Sequence, residues 1–514
     1  MHEPTFRPPG ATGARLERTL LVVLLLGMLA SLPFTVHDFW DARPDAARYL
    51  LAARSLAEGH GYSVMGEPFR LRPPGFSAAL APLVAWRGFD FPLLNAFTSL
   101  TGVAAVALLY LLVLPRTGAW VALGVATVAW LNPQLQALCN QVMSDVPALA
   151  LALLALLLAR RTHDRPSPAG EAALVLTLVA GAYVRSANVL LVPAVVLDRA
   201  CARWLGDGAA GGAPGAPRED ARTFVRRRLV LPVVAFTLLY LPWLATPSFT
   251  SQYDSPDLHS YTTAFLRADP NDPDAPALGA GGWGDRVAGN ASAYAALFAT
   301  GMVSRRPSVV AVPIALLGLA ALLAVLARRR EAPEWFALAT CAVIAVYYVA
   351  QARLLLPVFV LALAALAETV QRIASRLASP RAASGVVTAL LLAVALAQQA
   401  GDPRPNARAE HDSLVTATDA VRATTPAGVA IAGDMGAVYA LLLDRPVYSL
   451  RPLSRRGRDA ELARLLDARR IGVIVAERPG PLDALVEQLR VDGAEVVPFP
   501  RHVVVRRAGG GSAR

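Results

Sequence analysis

The chain has 514 residues, of which 55% are hydrophobic and only 17% are charged, so it is more apolar than a soluble protein needs to be. Its formal net charge of +11 would suggest nucleic-acid binding in a soluble protein, but many arginines stand in short clusters between long apolar runs. This placement is typical of a polytopic membrane protein with basic cytoplasmic loops, and it differs from the continuous basic surface of a nucleic-acid-binding protein. We therefore expect a membrane as a partner and no nucleic acid.

Apolar runs predict about eleven membrane-spanning helices, several of them shorter than the ~20 residues that a perpendicular span needs. The runs lie at residues 18–36, 91–114, 118–138, 146–159, 171–185, 188–200, 229–246, 307–327, 334–350, 354–371 and 382–399. Arginine clusters between alternate runs place the N-terminal arm in the cytoplasm, and an odd number of spans puts the C-terminus outside. The chain is therefore expected to be a multi-pass membrane protein.

The first polar loop runs from Asp38 to Pro74 and lies on the outer side in this topology. Pro44 suits the first turn of a helix, and an acidic residue beside it interacts favourably with that helix end, so a helix is predicted from about Asp45 to Glu58. Arg70 and Arg72 follow, directly before a rigid Pro-Pro pair. A carboxylate and a guanidinium cluster are thus predicted at one border of the membrane.

Asp45 is the first candidate for a catalytic role, because a carboxylate just outside the membrane can act as a general base toward a hydroxyl nucleophile. The alternative is a helix-start charge without chemistry. Asp38 and Asp41 are near enough to share the task or to cap the helix. We place them below Asp45.

Asp145 is predicted at the outer end of the fourth apolar run, where an ionisable group is a functional candidate by default. A helix start capped by Ser144 explains it equally well, and both interpretations can hold together. Arg185 and Arg353 each stand alone between apolar runs. Their forked donors can clamp the phosphate of a lipid carrier, or they can simply anchor the chain at lipid headgroups; Arg70 and Arg72 carry the same two interpretations.

Metal and cofactor signals are weak. Cys139, Cys201 and Cys341 lie in or beside apolar runs without metal-ligand spacing, and no His/Cys/Glu motif is present. No cofactor is indicated. A divalent cation between acidic residues and a phosphate stays open, although no spacing points to it.

Residues 401–514 differ from the rest, because helical and strand patterns alternate there from about residue 405. We predict a small extracytoplasmic α/β domain at 401–514 behind a mostly α transmembrane bundle at 1–400. A Gly-rich phosphate fingerprint is not found in this tail, so a nucleotide is not implied. Residues 206–220 read as a Gly/Ala/Pro-rich linker on the cytoplasmic side.

Three stretches resemble one enzyme family. They are DAARYLLAARSLAEGHGYS at 45–63, RLRPPGFSAALAPL at 70–83 and SDVPALAL at 144–151. The chain resembles the bacterial GT-C glycosyltransferases, namely the lipid A aminoarabinose transferase, the protein O-mannosyltransferase and the wider group that uses dolichyl- or polyprenyl-phosphate sugars. The likeness covers residues 15–370 and is strongest in the first 160.

The resemblance implies a multi-pass glycosyltransferase of a bacterial inner membrane that takes a sugar from a polyprenyl-phosphate donor. The acceptor would be a hydroxyl of a lipid, glycan or protein on the extracytoplasmic face, and in-line displacement would invert the anomeric centre. Matched by motif, the essential acidic residue of the first loop is Asp45, the acidic residue after the third span is Asp145, and the arginine before a Leu-Pro pair is Arg353. Ala46 stands where the family often has a second acidic residue, so the paired-acid or metal-bridging role is not expected at that point.

Two other classes stay open on the sequence. A transporter or flippase of a lipid-linked precursor would show repeated halves and charges near the membrane midplane, and neither is clear here. Alternatively, the spans only display the tail as a binding or sensing module. An inactive relative also remains compatible with Ala46 in place of the second acid.

Overall fold

The computed structural model describes residues 11–205, 220–246, 253, 265–268, 275–302, 311–398, 404–450 and 459–507. The predicted linker at 206–220 lies, apart from Asp220, outside these described residues.

Helices make up most of the described chain, and each predicted apolar run contains at least one. In the first half they are α1 (Ala11–Thr35), α2 (Pro44–Ala57), α3 (Gly75–Arg87), α4 (Phe91–Thr117), α5 (Ala119–Trp130), α6 (Pro133–Cys139), α7 (Asp145–Asp164), α8 (Pro168–Val184), α9 (Leu191–Trp204), α10 (Ala221–Phe224) and α11 (Leu231–Leu244). In the second half they are α12 (Ala280–Met302), α13 (Ala311–Arg329), α14 (Ala332–Val346), α15 (Leu356–Leu377), α16 (Pro380–Gln398), α17 (Arg404–Thr424), α18 (Gly436–Leu443), α19 (Asp459–Ala468) and α20 (Asp483–Val491). Two short 3-10 helices, Ser186–Leu190 and Ala352–Leu355, and one π-helical segment, Val225–Val230, complete the set.

The structure supports a membrane-spanning bundle but does not confirm the predicted number of about eleven spans. Within the described residues, 6 helices are long and apolar enough to cross a membrane by length and composition, namely α1, α4, α7, the α15 segment with the turn before it, α13 and α16. Three further apolar helices, α5, α8 and α14, are shorter. An apolar run thus predicted a helix reliably, but it did not predict whether that helix is long enough to span.

The chain divides into two compact units, and the first comprises Met1–Val36, Asn95–Thr246 and Trp283–Gly401. It is an all-helical bundle in which α7 packs on α8, α5 on α16, and α13 on α15. Leu153 and Val125 are among its fully buried side chains. At the helix ends, arginines pair with acids of neighbouring helices: Arg116 Nη1 lies 2.5 Å from Glu334 Oε1. Such pairing satisfies charges that would otherwise be costly inside a bundle.

The second unit comprises His37–Leu94, Pro247–Gly282 and Asp402–Arg514, so it contains the first polar loop and the tail. The loop contributes α2, α3 and a hairpin of β1 (Ser63–Val64) and β2 (Glu67–Pro68). The tail contributes a sheet of strands β3 (Ala430–Gly433), β4 (Val447–Ser449), β5 (Ile471–Glu477), β6 (Glu495–Pro498) and β7 (His502–Arg506).

The tail sheet has the strand order β4-β3-β5-β7-β6. β3 runs parallel to both β4 and β5, with Ile431 opposite Val447, whereas β7 is antiparallel to β5 and β6. The α/β character predicted for the tail is therefore confirmed. The sequence analysis missed β4, a strand of only 3 residues.

Within this unit, α2 lies between α3 and α18. Its Leu50 and Ala52 are fully buried, and Arg54 hydrogen-bonds Asp444, which ends α18. Trp40, also fully buried, stacks on Phe91 with ring centroids 5.1 Å apart. Through α2 and α18, the first loop therefore packs against a tail that lies far from it in the sequence.

Candidate active site

Asp45 lies in the first turn of α2. The helix begins at Pro44, directly after the extended Arg43, and it ends at Ala57, so the predicted Asp45–Glu58 helix is confirmed to within one residue. The buried face of α2, which includes Tyr49, is held by α3. Because the helix is fixed on that face, Asp45 is presented by a rigid element, which is how precise sites are built.

Two guanidinium groups meet at the carboxylate of Asp45. Arg72 Nη2 lies 3.0 Å from Oδ1 and 2.9 Å from Oδ2, and Arg48 Nη1 lies 3.3 Å from Oδ1. The three side chains are 14% to 19% exposed, so the cluster is partly withdrawn from water but still accessible. Charge-assisted hydrogen bonds of this kind are stronger than neutral ones.

Tyr62 fixes the backbone that carries Arg72. Its hydroxyl donates to the carbonyl oxygens of Arg72, at 3.0 Å, and Pro73, at 3.2 Å. Burial raises the pKa of Tyr62 above its ordinary value, so the hydroxyl keeps the proton that it donates. Tyr62 and Arg48 were not among the predicted site residues, although the helical spacing places Arg48, three residues after Asp45, on the same helix face.

The other acids and arginines predicted in the loop lie elsewhere. Asp41 forms an ion pair with Arg43 at 3.0 Å. Asp38 accepts two hydrogen bonds from Arg408 of α17, at 2.8 and 3.1 Å, and this contact lowers the pKa of Asp38. Arg70 is exposed. Of the two predicted loop arginines, Arg72 is the one that contacts Asp45.

Asp145 and Arg185 form a second pair, which lies in the helical bundle. Asp145 begins α7 and its side chain is 2% exposed; Arg185 Nη1 lies 3.0 Å from its Oδ1 and donates to Ser144 Oγ at 3.4 Å. Ser144 occupies the predicted cap position, but its side chain makes no capping hydrogen bond. Neither oxygen of Asp145 accepts a well-aligned hydrogen bond from the described residues, despite the short ion pair. A buried carboxylate left in that state calls for a functional explanation.

Arg353 lies in the turn before α15. Its Nε donates to Gln351 Oε1 at 2.7 Å, and the backbone N–H of Gln351 donates to the hydroxyl of Tyr294 on α12 at 3.2 Å. Arg353 therefore sits in a polar network, which is more than headgroup anchoring requires. Sequence analysis also missed Gln351, which lies two residues before Arg353, and Tyr294, whose link to this turn comes from a helix distant in the chain.

The structure thus brings together Asp45, Arg72 and Arg48 in the second unit, and Asp145 with Arg185 in the first. Among the residues that the structure describes, no three His, Cys, Asp or Glu side chains converge on a position suited to a metal ion. The divalent cation left open above gains no ligand set there, and we assign no step to it.

This chain is similar to solved structures in its fold, whereas no similarity to a known protein family is found in its sequence as a whole. No family model matches the sequence, and no match was found among curated proteins. Solved structures, in contrast, match over nearly the whole chain. ArnT from Cupriavidus metallidurans bound to undecaprenyl phosphate has a TM-score of 0.58 at 13% identity and covers 98% of this chain and 100% of that one.

Two archaeal structures match less of their own length. The oligosaccharyltransferase AglB from Archaeoglobus fulgidus, in complex with an inhibitory peptide and a dolichol-phosphate, has a TM-score of 0.54 at 13% identity over 91% of this chain and 70% of that one. An oligosaccharyltransferase structure from the same organism with Zn and sulfate has a TM-score of 0.56 at 14% identity, with 89% and 68% coverage. The GT-C fold expected from the sequence resemblance is thereby confirmed.

Proposed function

We propose that this chain, which has the GT-C fold, is a membrane glycosyltransferase. It would move a sugar from a polyprenyl-phosphate-linked donor to a hydroxyl acceptor on the extracytoplasmic face. One observation carries the proposal: the carboxylate of Asp45 and the guanidinium of Arg72 lie within 2.9 Å of each other. A base and a phosphate-binding cation are the two groups that this reaction needs.

The reaction we propose is a single displacement. The acceptor oxygen forms a bond to the anomeric carbon while the bond from that carbon to the phosphate oxygen breaks, and Asp45 takes the acceptor's proton. The bonding pair leaves with the polyprenyl phosphate, whose added charge is stabilised by guanidinium groups. Attack in line with the leaving group inverts the anomeric centre.

Arg72 has a double task in this scheme. In the structure it bonds both oxygens of Asp45, which occupies lone pairs that a general base must have available. A donor phosphate offers the same planar match to a guanidinium as a carboxylate does. Binding of the donor would therefore draw Arg72 onto the phosphate and release Asp45 for the acceptor, while Tyr62 keeps the Arg72 backbone in place.

In the helical bundle, Arg185 is proposed as a further phosphate-binding residue, held by Asp145. Arg353 and Arg70 are proposed for the same anionic donor, Arg353 from its network with Gln351 and Arg70 from its exposed position. Asp145 and Asp41 are proposed as supporting acids and Asp45 as the base. These assignments rest on charge and position at the predicted outer border.

Both the donor class and the location are part of this proposal. The neighbours contain undecaprenyl phosphate and dolichol-phosphate, which supports a polyprenyl-phosphate-linked sugar as donor. We propose a bacterial inner membrane as the location, and the arginine clusters support an orientation with the first loop and the tail outside. The acceptor class is a lipid, a glycan or a protein.

A comparison of cells with and without the protein tests the proposal first. Mass spectrometry of envelope glycans and lipids should show one mass lost with the protein, and that mass identifies the transferred group. The purified protein in vesicles should then transfer this sugar from a polyprenyl-phosphate donor. Movement of the intact donor across the vesicle membrane without any transferred sugar would contradict the proposal and would favour a flippase.

A further inference from the structure

A groove of about 820 Å³ lies between α8 and α11. Its walls are mainly apolar and include Val175 and Leu176 of α8 and Leu231, Ala235 and Leu239 of α11. Three of these leucines are largely exposed, at 61%, 59% and 47% in chain order. At its far end the two helices meet, since the hydroxyl of Tyr183 donates to the Leu239 carbonyl at 3.1 Å.

The other end of the groove is positively charged. Arg228 and the buried Arg199 both bond one carboxylate, that of Glu171, at 2.5 and 2.8 Å, so two positive charges face one negative charge. Arg227 also lines the groove, is exposed, and has no ion-pair partner among the described residues. Arg227 and Arg228 lie in the π-helical segment, a rare type of turn that is frequent at functional sites, whereas Arg199 lies in α9.

The dimensions fit one leaflet of a bilayer. The lining residues of α8 extend from Pro168 to Leu176, which is about 12 Å of helix, compared with about 15 Å for half of the hydrocarbon core. The groove therefore offers an apolar wall for a hydrocarbon chain and, at one mouth, guanidinium groups at the depth of a headgroup.

The groove is separate from the site described above. Arg185 follows the last residue of α8, whereas the groove begins at the first, and 17 residues of helix place these ends about 25 Å apart. A lipid in the groove would thus lie in the leaflet opposite to Arg185.

We infer that this groove binds an anionic acyl phospholipid of the surrounding bilayer, with its phosphate at Arg227 and Arg228 and one acyl chain between α8 and α11. Basic pockets between membrane helices are known to hold anionic headgroups. The bound lipid would cover the exposed leucines and hold the two helices together, and this does not depend on the proposed transferase activity.

The test uses the full-length protein in a mild detergent. Native mass spectrometry measures retention of dioleoyl phosphatidylglycerol, dioleoyl phosphatidylcholine and undecaprenyl phosphate, and the melting temperature is recorded with each and with inorganic phosphate. We expect phosphatidylglycerol to bind about 10-fold more tightly than phosphatidylcholine and to raise the melting temperature. Equal binding of the two phospholipids, binding of undecaprenyl phosphate alone, or equal stabilisation by inorganic phosphate would overturn the inference.

Two variants with matched controls locate the lipid. Ala235→Trp fills the groove and should weaken phosphatidylglycerol binding about 10-fold, whereas Val234→Trp, on an exposed part of the same helix, should not. Arg227→Gln should abolish the preference for phosphatidylglycerol, whereas Arg226→Gln should leave it intact. Because Arg227 is exposed, its replacement tests the inference even if Ala235→Trp fails to fold; an unchanged preference in Arg227→Gln would overturn it.

Discussion

Replacing Asp45 by asparagine tests the proposed base directly. The substitution removes the charge and the proton-accepting oxygen but keeps the shape of the side chain. General-base catalysis contributes about 10²- to 10⁴-fold to rate, so we expect kcat to fall at least about 100-fold.

The effect on stability should be much smaller than the effect on rate. The carboxylate accepts from Arg72 at 3.0 and 2.9 Å and from Arg48 at 3.3 Å, and the three side chains are 14% to 19% exposed. An asparagine oxygen can still accept one of these bonds. Loss of a charged hydrogen bond costs about 2 kcal/mol, which should allow the variant to insert and fold.

Sugar transfer is measured in vesicles at saturating donor and acceptor, beside the melting temperature of each variant. Asp419→Asn is the matched control, because Asp419 forms an exposed pair with Arg422, has no proposed role in the reaction, and such surface pairs contribute at most about 1 kcal/mol. Transfer by Asp45→Asn at the wild-type rate, in protein that inserts normally, would refute the assignment of the base.

Three further results are expected. Asp145→Asn should raise the KM for the lipid donor about 10-fold with a smaller change in kcat, because it releases Arg185 without removing it; a change in kcat alone would argue against a role in donor binding. Burial lowers the pKa of His502 from 6.5 to about 4. As the pH falls, the unfolded tail therefore binds a proton on this residue before the folded tail does, and the free energy of unfolding should drop by about 3 kcal/mol between pH 6.5 and 4. Hydrogen exchange of the tail strands measures this drop. His502→Phe should remove this pH dependence, and a slope that persists would assign it to another group. Deleting residues 405–514 should reduce sugar transfer without preventing membrane insertion. The deletion also uncovers α2, so the first loop should become sensitive to protease. Complete loss of function while the first loop stays protease-resistant would favour the binding-module alternative.

The local features of the site could be predicted, because their signals lie within a few residues of one another. Pro44 and Asp45 mark the start of α2, and its end follows from Gly59 shortly after. The helical spacing also placed Arg48 on the same face as Asp45. None of these inferences required knowledge of a distant part of the chain.

The long-range pairs could not be predicted. Whether Arg70 or Arg72 contacts Asp45 depends on the path of the loop, which Tyr62 fixes through backbone carbonyls. The contact of Asp145 with Arg185 joins the start of α7 to the end of α8 and is set by helix–helix packing. Strand β4 was missed because so short a segment is stabilised by contacts with other parts of the tail unit, among them its parallel pairing with β3.

The side-chain amide of Asn290 donates to three carbonyl oxygens at the end of α14, those of Ile344, Ala345 and Tyr347, at 3.3, 2.9 and 2.6 Å. The last carbonyl groups of a helix have no partner within the helix and normally bond to a capping residue or to water. Here a side chain of the neighbouring helix α12 donates hydrogen bonds to them instead. The same nitrogen is the acceptor atom of an Asn-Ala-Ser sequon, so its burial withholds that position from glycosylation. Together with the hydrogen bond from Gln351 to Tyr294, the arrangement links α12 to the segment between α14 and Arg353, so a displacement of α12 is expected to shift that segment as well.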